Sequence, residues 1–247
     1  MRRPSARLAE GIVTHIERTV VDVGRAVRQH DAYVAALERC GWRTHEVAPA
    51  DDCPDSVFVE DTVVVRGDLA VLTRPGAATR RAEVAGAEAA VRELGLDVRR
   101  IEAPGTLDGG DVLQIGRTVF VGRGGRTNAD GIEQLRQTLA PMGCTTTAVE
   151  LTKVLHLKSA VTALPDGTVL TWGGLVDHGM FPAVRPVPEE PGAHVVLLGG
   201  ADVLIAASAP RTAQLLVDLG YDPVVVDISE FERLEGCVTC LSVLIPS

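Results

Sequence analysis

The sequence predicts an α/β protein in which similar units repeat around a ring. Runs of β-forming apolar residues occur in pairs separated by tight Gly- or Asp-containing turns, and each pair is followed by an Ala/Leu/Glu-rich helical stretch. This pattern recurs along the whole chain, so residues 1–247 are interpreted as one domain. Quasi-repetition on this scale favours a closed ring over an open sheet, and a ring brings loops from distant units to one axis.

The first two units have the most regular pattern. In the first, we expect strands at 57–65 and 69–73 around the turn 66–68, then a helix over 79–94 that ends at Gly95. In the second, we expect strands at 111–115 and 118–122 around the turn 116–117, then a helix over 128–142 that ends before Gly143.

The remaining units are less regular. The third has predicted strands at 156–164 and 168–172, but its helix is opposed by four prolines: Pro182, Pro186, Pro188 and Pro191. The fourth has predicted strands at 194–198 and 202–207 and a helix over 210–219. A helix over 21–39 and a closing strand over 238–245 complete a predicted fifth unit.

Composition limits the functional classes. With 46% hydrophobic residues, the 247-residue chain can form a large core, and no apolar run is long enough to span a bilayer. Five scattered cysteines, an odd number, favour reduced thiols. The net charge of −9, without a basic block, argues against nucleic acid as a partner. We therefore expect a cytoplasmic monomer or homodimer that acts on a small molecule, with no membrane partner, cofactor or metal.

The pair Cys237 and Cys240 admits several interpretations. A thioredoxin-like motif needs its first cysteine at the start of a helix, whereas this pair precedes the strand-like residues 241–245. A structural zinc site needs four ligands, and the sequence has no second CxxC motif. A buried structural thiol and a nucleophile remain open.

A nucleophilic cysteine needs a histidine to exchange protons and an acid to orient it or to bind substrate. Among six histidines, His156 lies in an apolar run beside polar residues, whereas the other five are expected at surface or loop positions: His15, His30, His45, His178 and His194. Strand alternation directs Glu60 and Asp61 to opposite faces, so only one should face a given site. Carboxylates beside glycines, such as Asp108, suit a planar guanidinium ion.

Two arginines occupy corresponding places in the first two units. Arg80 and Arg126 each follow the second strand and precede the helix. This repetition suggests a shared role, and two arginine side chains are suited to bind a ligand carboxylate. Two solvated surface arginines would give the same pattern.

Six blocks occur in order along the chain: 55–61 (DSVFVED), 74–77 (RPGA) with Arg80, 107–112 (LDGGDV), 126–128 (RTN), 156–159 (HLKS) and 239–244 (TCLSVL). Together they resemble the dimethylarginine dimethylaminohydrolase family of the guanidine-modifying superfamily. The resemblance implies the pentein fold, a five-bladed α/β propeller. It also implies hydrolysis of Nω-methylated arginines to citrulline through a covalent cysteine thiouronium.

The resemblance also implies residue roles. Cys240 would be the nucleophile and His156 the general acid and then base, while Asp108 and Asp61 would hold the guanidinium. The remaining implied or candidate substrate-binding residues lie in the same blocks or in loops: Asp55 (α-ammonium), Arg80 and Arg126 (α-carboxylate), Val13 and Leu234 (backbone carbonyls), Glu60 and Ser159. A mobile lid is expected at about residues 10–19.

Two features depart from the family pattern. Residues 173–192 are short and proline-rich, which suggests a reduced unit, and Cys237 and Glu235 lie beside the nucleophile. Cys237 could alter substrate choice or form a disulfide. Two alternative functions stay open, namely an arginine deiminase-like hydrolase and a non-catalytic pentein binding protein. The latter should have lost the Cys, His and acid residues.

Overall fold

The computed structural model describes residues 1–245 and confirms an α/β protein. Among these residues, twelve strands form four sheets of three strands each. The strands are β1 (Val63–Arg66), β2 (Leu69–Leu72), β3 (Asp97–Arg100), β4 (Val112–Ile115), β5 (Thr118–Arg123), β6 (Thr145–Glu150), β7 (Val161–Ala163), β8 (Val169–Thr171), β9 (Val184–Pro186), β10 (Val195–Gly199), β11 (Asp202–Ala206) and β12 (Asp222–Val226).

All four sheets share one topology. The first two strands pair antiparallel as a hairpin, and the third pairs parallel to the second after a crossover. The sequence patterns predicted the hairpins but not the third strands. These outer strands are largely exposed, as in Asp97–Arg100, and therefore lack the apolar run by which a buried strand is recognised.

The helices lie between the strands or at the ends of the sheet region. They are α1 (Val23–Arg39), α2 (Val84–Glu93), α3 (Ala129–Leu139), α4 (Pro210–Asp218) and the short α5 (Ser229–Glu232). The Asp22 side chain caps α1 by accepting a hydrogen bond from the Arg25 backbone N–H at 2.9 Å. The Asn128 side chain likewise caps α3 by accepting one from the Gly131 backbone N–H at 2.8 Å. Between β8 and β9 of the third unit, the 3₁₀ turn His178–Met180 takes the place of a helix, and the residues after it are rich in prolines, which oppose one.

The four units surround a central cavity of about 610 Å³. Its wall includes residues from the first strand of every sheet, for example Val64, Leu113, Thr162 and Val196. Apolar clusters pack adjacent units together, as where Leu107, Val112 and Leu135 bury against Val71 of the preceding sheet. Among the described residues, no helix has the length and apolar character that a membrane crossing requires.

Three predicted strands differ in the structure. Residues 57–65 and 156–164 contain strands only in their C-terminal parts, after the 3₁₀ turns Val59–Thr62 and Leu157–Ser159. The predicted closing strand at 238–245 is wrong, because it begins with the 3₁₀ turn Val238–Leu241 and its described remainder has no assigned strand. Apolar runs do not distinguish a buried strand from a buried turn of helix, which explains all three errors.

Candidate active site

Five short 3₁₀ turns recur at corresponding positions. Four of them directly precede or adjoin the first strand of a sheet, and the fifth lies near the C-terminus: Val59–Thr62, Gly109–Asp111, Leu157–Ser159, Glu190–Ala193 and Val238–Leu241. Asp61 lies within the first turn and Cys240 within the fifth, while Asp108 and His156 are the residues immediately before the second and third. The fold thus places four predicted site residues in or directly before four different 3₁₀ turns.

Residues in or directly before three of these turns line a small cavity. Cys240, His156 and Asp61 line it, together with Asp55, Phe58, Arg80, Arg126 and Leu234. Asp108 is fully buried behind His156, with its Oδ2 3.0 Å from His156 Nε2. The nucleophile, histidine and acids predicted from the sequence therefore lie in one place, although they are separated by up to 179 positions in the chain.

His156 lies among carboxylates. Burial opposes its charged form, but the nearby Asp61, Asp111 and Asp108 raise the pKa of His156 to about 10. The pKa of Asp61 is lowered despite burial by the charges of His156 and Arg80. The surrounding carboxylates therefore favour the protonated, cationic form of His156.

Asp111 holds the turn that carries His156. Its Oδ1 accepts a hydrogen bond from the Leu157 backbone N–H at 3.0 Å, and its Oδ2 accepts one from the Thr127 hydroxyl at 2.6 Å. Burial raises the pKa of Asp111 to about 6. Asp111 thus positions the histidine without lining the cavity.

The glycines of the LDGGDV block allow this close packing. The Gly110 N–H donates a 2.9 Å hydrogen bond to Asp61 Oδ1, and a Cβ at Gly110 would lie 2.7 Å from His156 Nδ1. A Cβ at Gly109 would lie 2.0 Å from the Glu60 carbonyl oxygen. Side chains at either position would push the acids and the histidine apart.

Arg80 and Arg126, predicted as equivalent, have different surroundings. Arg80 uses all three of its nitrogens to bond Asp61, Glu83 and the carbonyls of Asp55 and Phe58, with 2.5 Å between Nη1 and Asp61 Oδ2. Arg126 also lines the cavity, and its Nη1 lies 3.5 Å from Asp108 Oδ2. Arg80 is therefore committed to holding buried acids, whereas Arg126 has donors to offer a ligand.

The N-terminal segment covers one side of the cavity. Asp55 accepts hydrogen bonds from the Ile12 backbone N–H at 3.0 and 3.2 Å, and burial raises the pKa of Asp55. Glu235 accepts from the backbone N–H groups of Thr14 and His15, both at 2.6 Å. The segment predicted as a lid is thus attached to the site by two carboxylates.

Three candidate substrate-binding residues are absent from the lining of this cavity. Glu60 is hydrogen-bonded to Lys158 and Thr239. The Ser159 carbonyl oxygen lies at hydrogen-bond distance from His194 Nε2. Ile12 lines the cavity where Val13 was expected. Leu155, Glu235 and Gly236 also line the cavity. They carry no motif of their own, and only proximity in sequence to His156 and Cys240 could have indicated them.

The prediction that His30 lies at the surface or in a loop is wrong, because His30 is buried in α1. His194 lies in a loop but is buried there, with its Nε2 2.9 Å from the Ser159 carbonyl oxygen. A single polar residue within an apolar pattern does not reveal such burial.

The two sulfurs of the CxxC motif are adjacent. Cys237 precedes the 3₁₀ turn that contains Cys240, and their Sγ atoms are 3.2 Å apart. The Cys237 backbone N–H donates to Cys240 Sγ at 3.4 Å. The sequence-based expectation that the pair directly precedes a strand is therefore wrong.

Asp61, Asp108 and His156 each place one potential ligand atom within 4.8 Å of the others. Hydrogen bonds to Arg80 and between His156 and Asp108 already engage these groups.

The chain has close relatives among known proteins. It is 66% identical over 244 residues to N(G),N(G)-dimethylarginine dimethylaminohydrolase of Streptomyces coelicolor, covering 98% of this chain and 95% of the relative. The chain belongs to the dimethylarginine dimethylaminohydrolase family. The Pseudomonas aeruginosa member is 36% identical over 246 residues and 96% of its length is covered. No protein-family model matches the chain.

Solved structures of the dimethylarginine dimethylaminohydrolase family have the same fold. An adduct with S-methyl-L-thiocitrulline superposes with a TM-score of 0.91 at 34% identity, over 97% of this chain and 96% of the other. The Pseudomonas aeruginosa enzyme, as a cysteine-to-serine variant in complex with citrulline, gives 0.90 at 35% identity, over 97% and 95% of the two chains. The N-terminal domain of the arginine dihydrolase ArgZ, at 20% identity, gives 0.87 over 98% and 95%, which indicates a shared fold.

Proposed function

We propose that this protein hydrolyses Nω-methylated arginines to citrulline and dimethylamine or methylamine. The observation that carries the proposal is that Cys240, His156 and Asp61 line one cavity in a chain whose family consists of amidine hydrolases. These groups match the needs of the reaction, namely a sulfur nucleophile, a proton donor and an acid for the guanidinium.

Cys240 Sγ attacks the guanidinium carbon. Asp61, which lines the cavity, holds the cation, and Asp108 orients His156 from behind. The imidazolium of His156 donates its proton to the departing amine, and a direct contact of Asp108 with the guanidinium stays a prediction. Loss of the amine leaves a thiouronium on Cys240. The positive charge of the bound guanidinium also favours the thiolate.

The second half-reaction uses the same histidine. Having lost its proton, His156 removes one from water, which adds to the thiouronium carbon. Collapse of the adduct breaks the C–S bond and releases citrulline, returning the thiolate. One residue thus acts first as acid and then as base.

The amino-acid end of the substrate has candidate partners around the cavity. Arg126 binds the α-carboxylate, supported by its position in the lining and its free donors. Asp55 and the backbone of the N-terminal segment receive the α-ammonium. A carboxylate role for Arg80 stays a prediction, because its nitrogens are occupied by protein groups.

We further propose that the ring has five units, the fifth formed by α1 and the C-terminal segment. Its support is the fifth 3₁₀ turn, Val238–Leu241, which matches those before the sheets. Residues 10–19 would act as the lid of this single catalytic domain. A cytoplasmic location and a monomeric or homodimeric state remain predictions, the latter testable by light scattering.

The test is citrulline release from dimethylarginine, monomethylarginine and arginine by the wild type and by Cys240→Ser. We expect turnover of the methylated substrates and a loss of more than about 10³-fold in the variant. Activity that survives in Cys240→Ser would contradict the mechanism. Preference for plain arginine would instead identify a deiminase-like enzyme, and no turnover of any guanidine would favour a binding protein.

A further inference from the structure

A chain of side-chain contacts connects the nucleophile with the central cavity. Cys240 Sγ is 3.2 Å from Cys237 Sγ, which is 3.2 Å from Thr239 Oγ1. The Thr239 hydroxyl is 2.9 Å from Glu60 Oε2, and Lys158 Nζ is 2.6 Å from Glu60 Oε1. Cys240 lines the substrate cavity, whereas Thr239, Glu60 and Lys158 line the central one.

The donors and acceptors along this chain can be ordered in one direction. A carboxylate only accepts, so the Thr239 hydroxyl donates to Glu60. The Thr239 oxygen can then accept from the Cys237 thiol, and Cys237 Sγ can accept from the Cys240 thiol. Each intermediate group holds one proton to pass on and a lone pair to receive another, which is what proton relay requires.

The cavity itself offers Cys240 no ready base. Three carboxylates keep His156 protonated, as shown by its pKa of about 10, so it cannot take the thiol proton. The hydrogen bond between the two thiols raises the pKa of Cys240 and lowers that of Cys237, and burial near the acids Glu60 and Asp61 adds to the rise at Cys240. The nucleophile therefore begins as a thiol that needs a proton acceptor, and Cys237, which gives up its own proton readily, can pass one on.

Glu60 has the properties of that acceptor. Burial raises the pKa of Glu60 to about 7, and the ammonium of Lys158 opposes a larger rise. A carboxylate with this pKa can be protonated near neutral pH at little cost in free energy. The candidate role for Glu60 in substrate binding is thereby replaced by one on the far side of the nucleophile.

We propose that Cys237 and Thr239 relay the thiol proton of Cys240 to Glu60 when the nucleophile forms; this rests on the proposed function of Cys240. The S–H bond of Cys240 breaks and its proton binds Cys237 Sγ. The proton of Cys237 passes to Thr239 Oγ1, and that of Thr239 passes to Glu60 Oε2. The net result is a thiolate and a neutral carboxylic acid, with no change in oxidation state.

Charge accounts for the direction of transfer in the complex. The relay moves one negative charge from Glu60, beside Lys158, to Cys240, beside the bound guanidinium, which stabilises the thiolate. Release of citrulline removes that cation, and the proton returns along the same path. The other titratable groups that surround the relay are Tyr33, Asp61, His156, His194 and Glu232.

The test measures formation of the thiolate without an amino-acid substrate, in the absence and in the presence of millimolar guanidinium chloride, which supplies the cation that favours the thiolate. The rate of alkylation of Cys240 by iodoacetamide is followed between about pH 5 and 9. Trypsin cleavage after Arg233 releases residues 234–247, and fragment masses distinguish label on Cys240 from label on Cys237. Because no citrulline needs to form, failure of the relay and failure of the proposed substrate assignment give separate results.

Thr239→Val and Thr239→Ser form the matched pair. We expect Thr239→Val to slow alkylation of Cys240 at pH 7 by at least about tenfold and to shift its pH profile upward, because the valine cannot pass a proton. Thr239→Ser keeps the hydroxyl and should restore the rate to within about twofold. An unchanged rate and pH profile in Thr239→Val would refute the relay.

Cys237→Ala and Cys237→Ser provide a second pair if the first does not fold, as judged by thermal melting. The serine hydroxyl can accept and donate a proton as the thiol does. Cys240 should therefore be alkylated faster in Cys237→Ser than in Cys237→Ala. Glu60→Gln keeps a side chain of similar shape but removes both the proton acceptor and a negative charge that raises the pKa of Cys240. Loss of the charge alone would speed alkylation at pH 7, whereas loss of the acceptor should slow it, so a faster rate would contradict the relay. Equal profiles for wild type, Cys237→Ala and Glu60→Gln would overturn the proposal.

Discussion

The two sides of Cys240 differ in how their polar groups are paired. On the substrate side, Arg126 lines an open cavity with donors to spare, and the imidazolium of His156 faces the same space. On the interior side, Glu60 is bonded at both oxygens, to Lys158 and Thr239. Groups with free hydrogen-bonding capacity bind ligands, whereas groups paired within the protein position others or pass protons.

Arg80 shows that lining the substrate cavity is not enough to make a residue a ligand-binding group. It borders the substrate cavity like Arg126, but its side chain is 5% exposed and bonded to Asp61 and Glu83. Because its hydrogen bonds are made within the protein, Arg80 resembles the groups on the interior side of Cys240. Substitutions on the substrate side should therefore reduce activity, and those at paired groups should reduce stability or alter pH dependence.

The largest effect is expected at His156. His156→Gly removes the proton donor, so kcat should fall by about 10²- to 10⁴-fold. Citrulline release measures the loss, and added imidazole should restore part of it because the small base can occupy the vacated space. A variant that retains half of the wild-type kcat would show that another group protonates the amine.

Arg80→Met should chiefly affect stability. It leaves Asp61 and Glu83 buried without their cation, which should lower the free energy of unfolding by about 3–5 kcal/mol. Urea denaturation measures the change. Arg81→Met is the control, since Arg81 is partly exposed and, among residues 1–245, bonds only the Pro75 carbonyl; it should cost less than about 1 kcal/mol. Equal losses would mean that Arg80 is not a buried structural ion.

Arg126→Ala should give the opposite result. Loss of hydrogen bonds to the substrate carboxylate should raise KM about 10- to 100-fold, with little change in unfolding free energy. Initial rates with dimethylarginine measure KM. A methylated guanidine lacking the α-carboxylate is the control substrate, and wild type and variant should turn it over with similar kinetics. An unchanged KM for dimethylarginine would contradict the carboxylate role.

His30 is a buried titratable group that, unlike the groups around Cys240, lacks hydrogen-bond partners among the described residues. Among the described residues, its two ring nitrogens have no hydrogen-bond partner, and burial lowers the pKa of His30 to about 4 from an ordinary 6.5. As pH falls, His30 therefore binds a proton in the unfolded chain before it does so in the folded protein. Its titration leaves the free energy of unfolding unchanged above about pH 6.5 and lowers it progressively as pH falls toward about 4.

Replacing His30 by Leu should remove this part of the pH dependence, on the order of 2 kcal/mol between pH 7 and 4. Urea denaturation at several pH values measures it, and the difference between the two proteins cancels the contribution of the carboxylates. A constant difference across that range would show that His30 does not titrate on unfolding.

The sequence predicted the hairpins well and the outer strands poorly. The apolar pairs at 63–66 and 69–72 follow the predicted pattern, but β3 (Asp97–Arg100) is too polar to be recognised. The site shows a similar division. Cys240, His156 and Asp108 were candidates because of residue type and motif, whereas the distinct surroundings of Arg80 and Arg126 could not be read from their matching positions.

By itself, the sequence determined the repeated α/β units, the family and the residue types that carry the chemistry, because these depend on local pattern and on ordered motifs. Only the tertiary structure decided which polar groups meet. Glu60 and Thr239, 179 positions apart, form one hydrogen bond, while the adjacent Asp61 is bonded to Arg80. Such pairings follow from how turns distant in sequence pack against one another, and strand or helix periodicity contains no record of that packing.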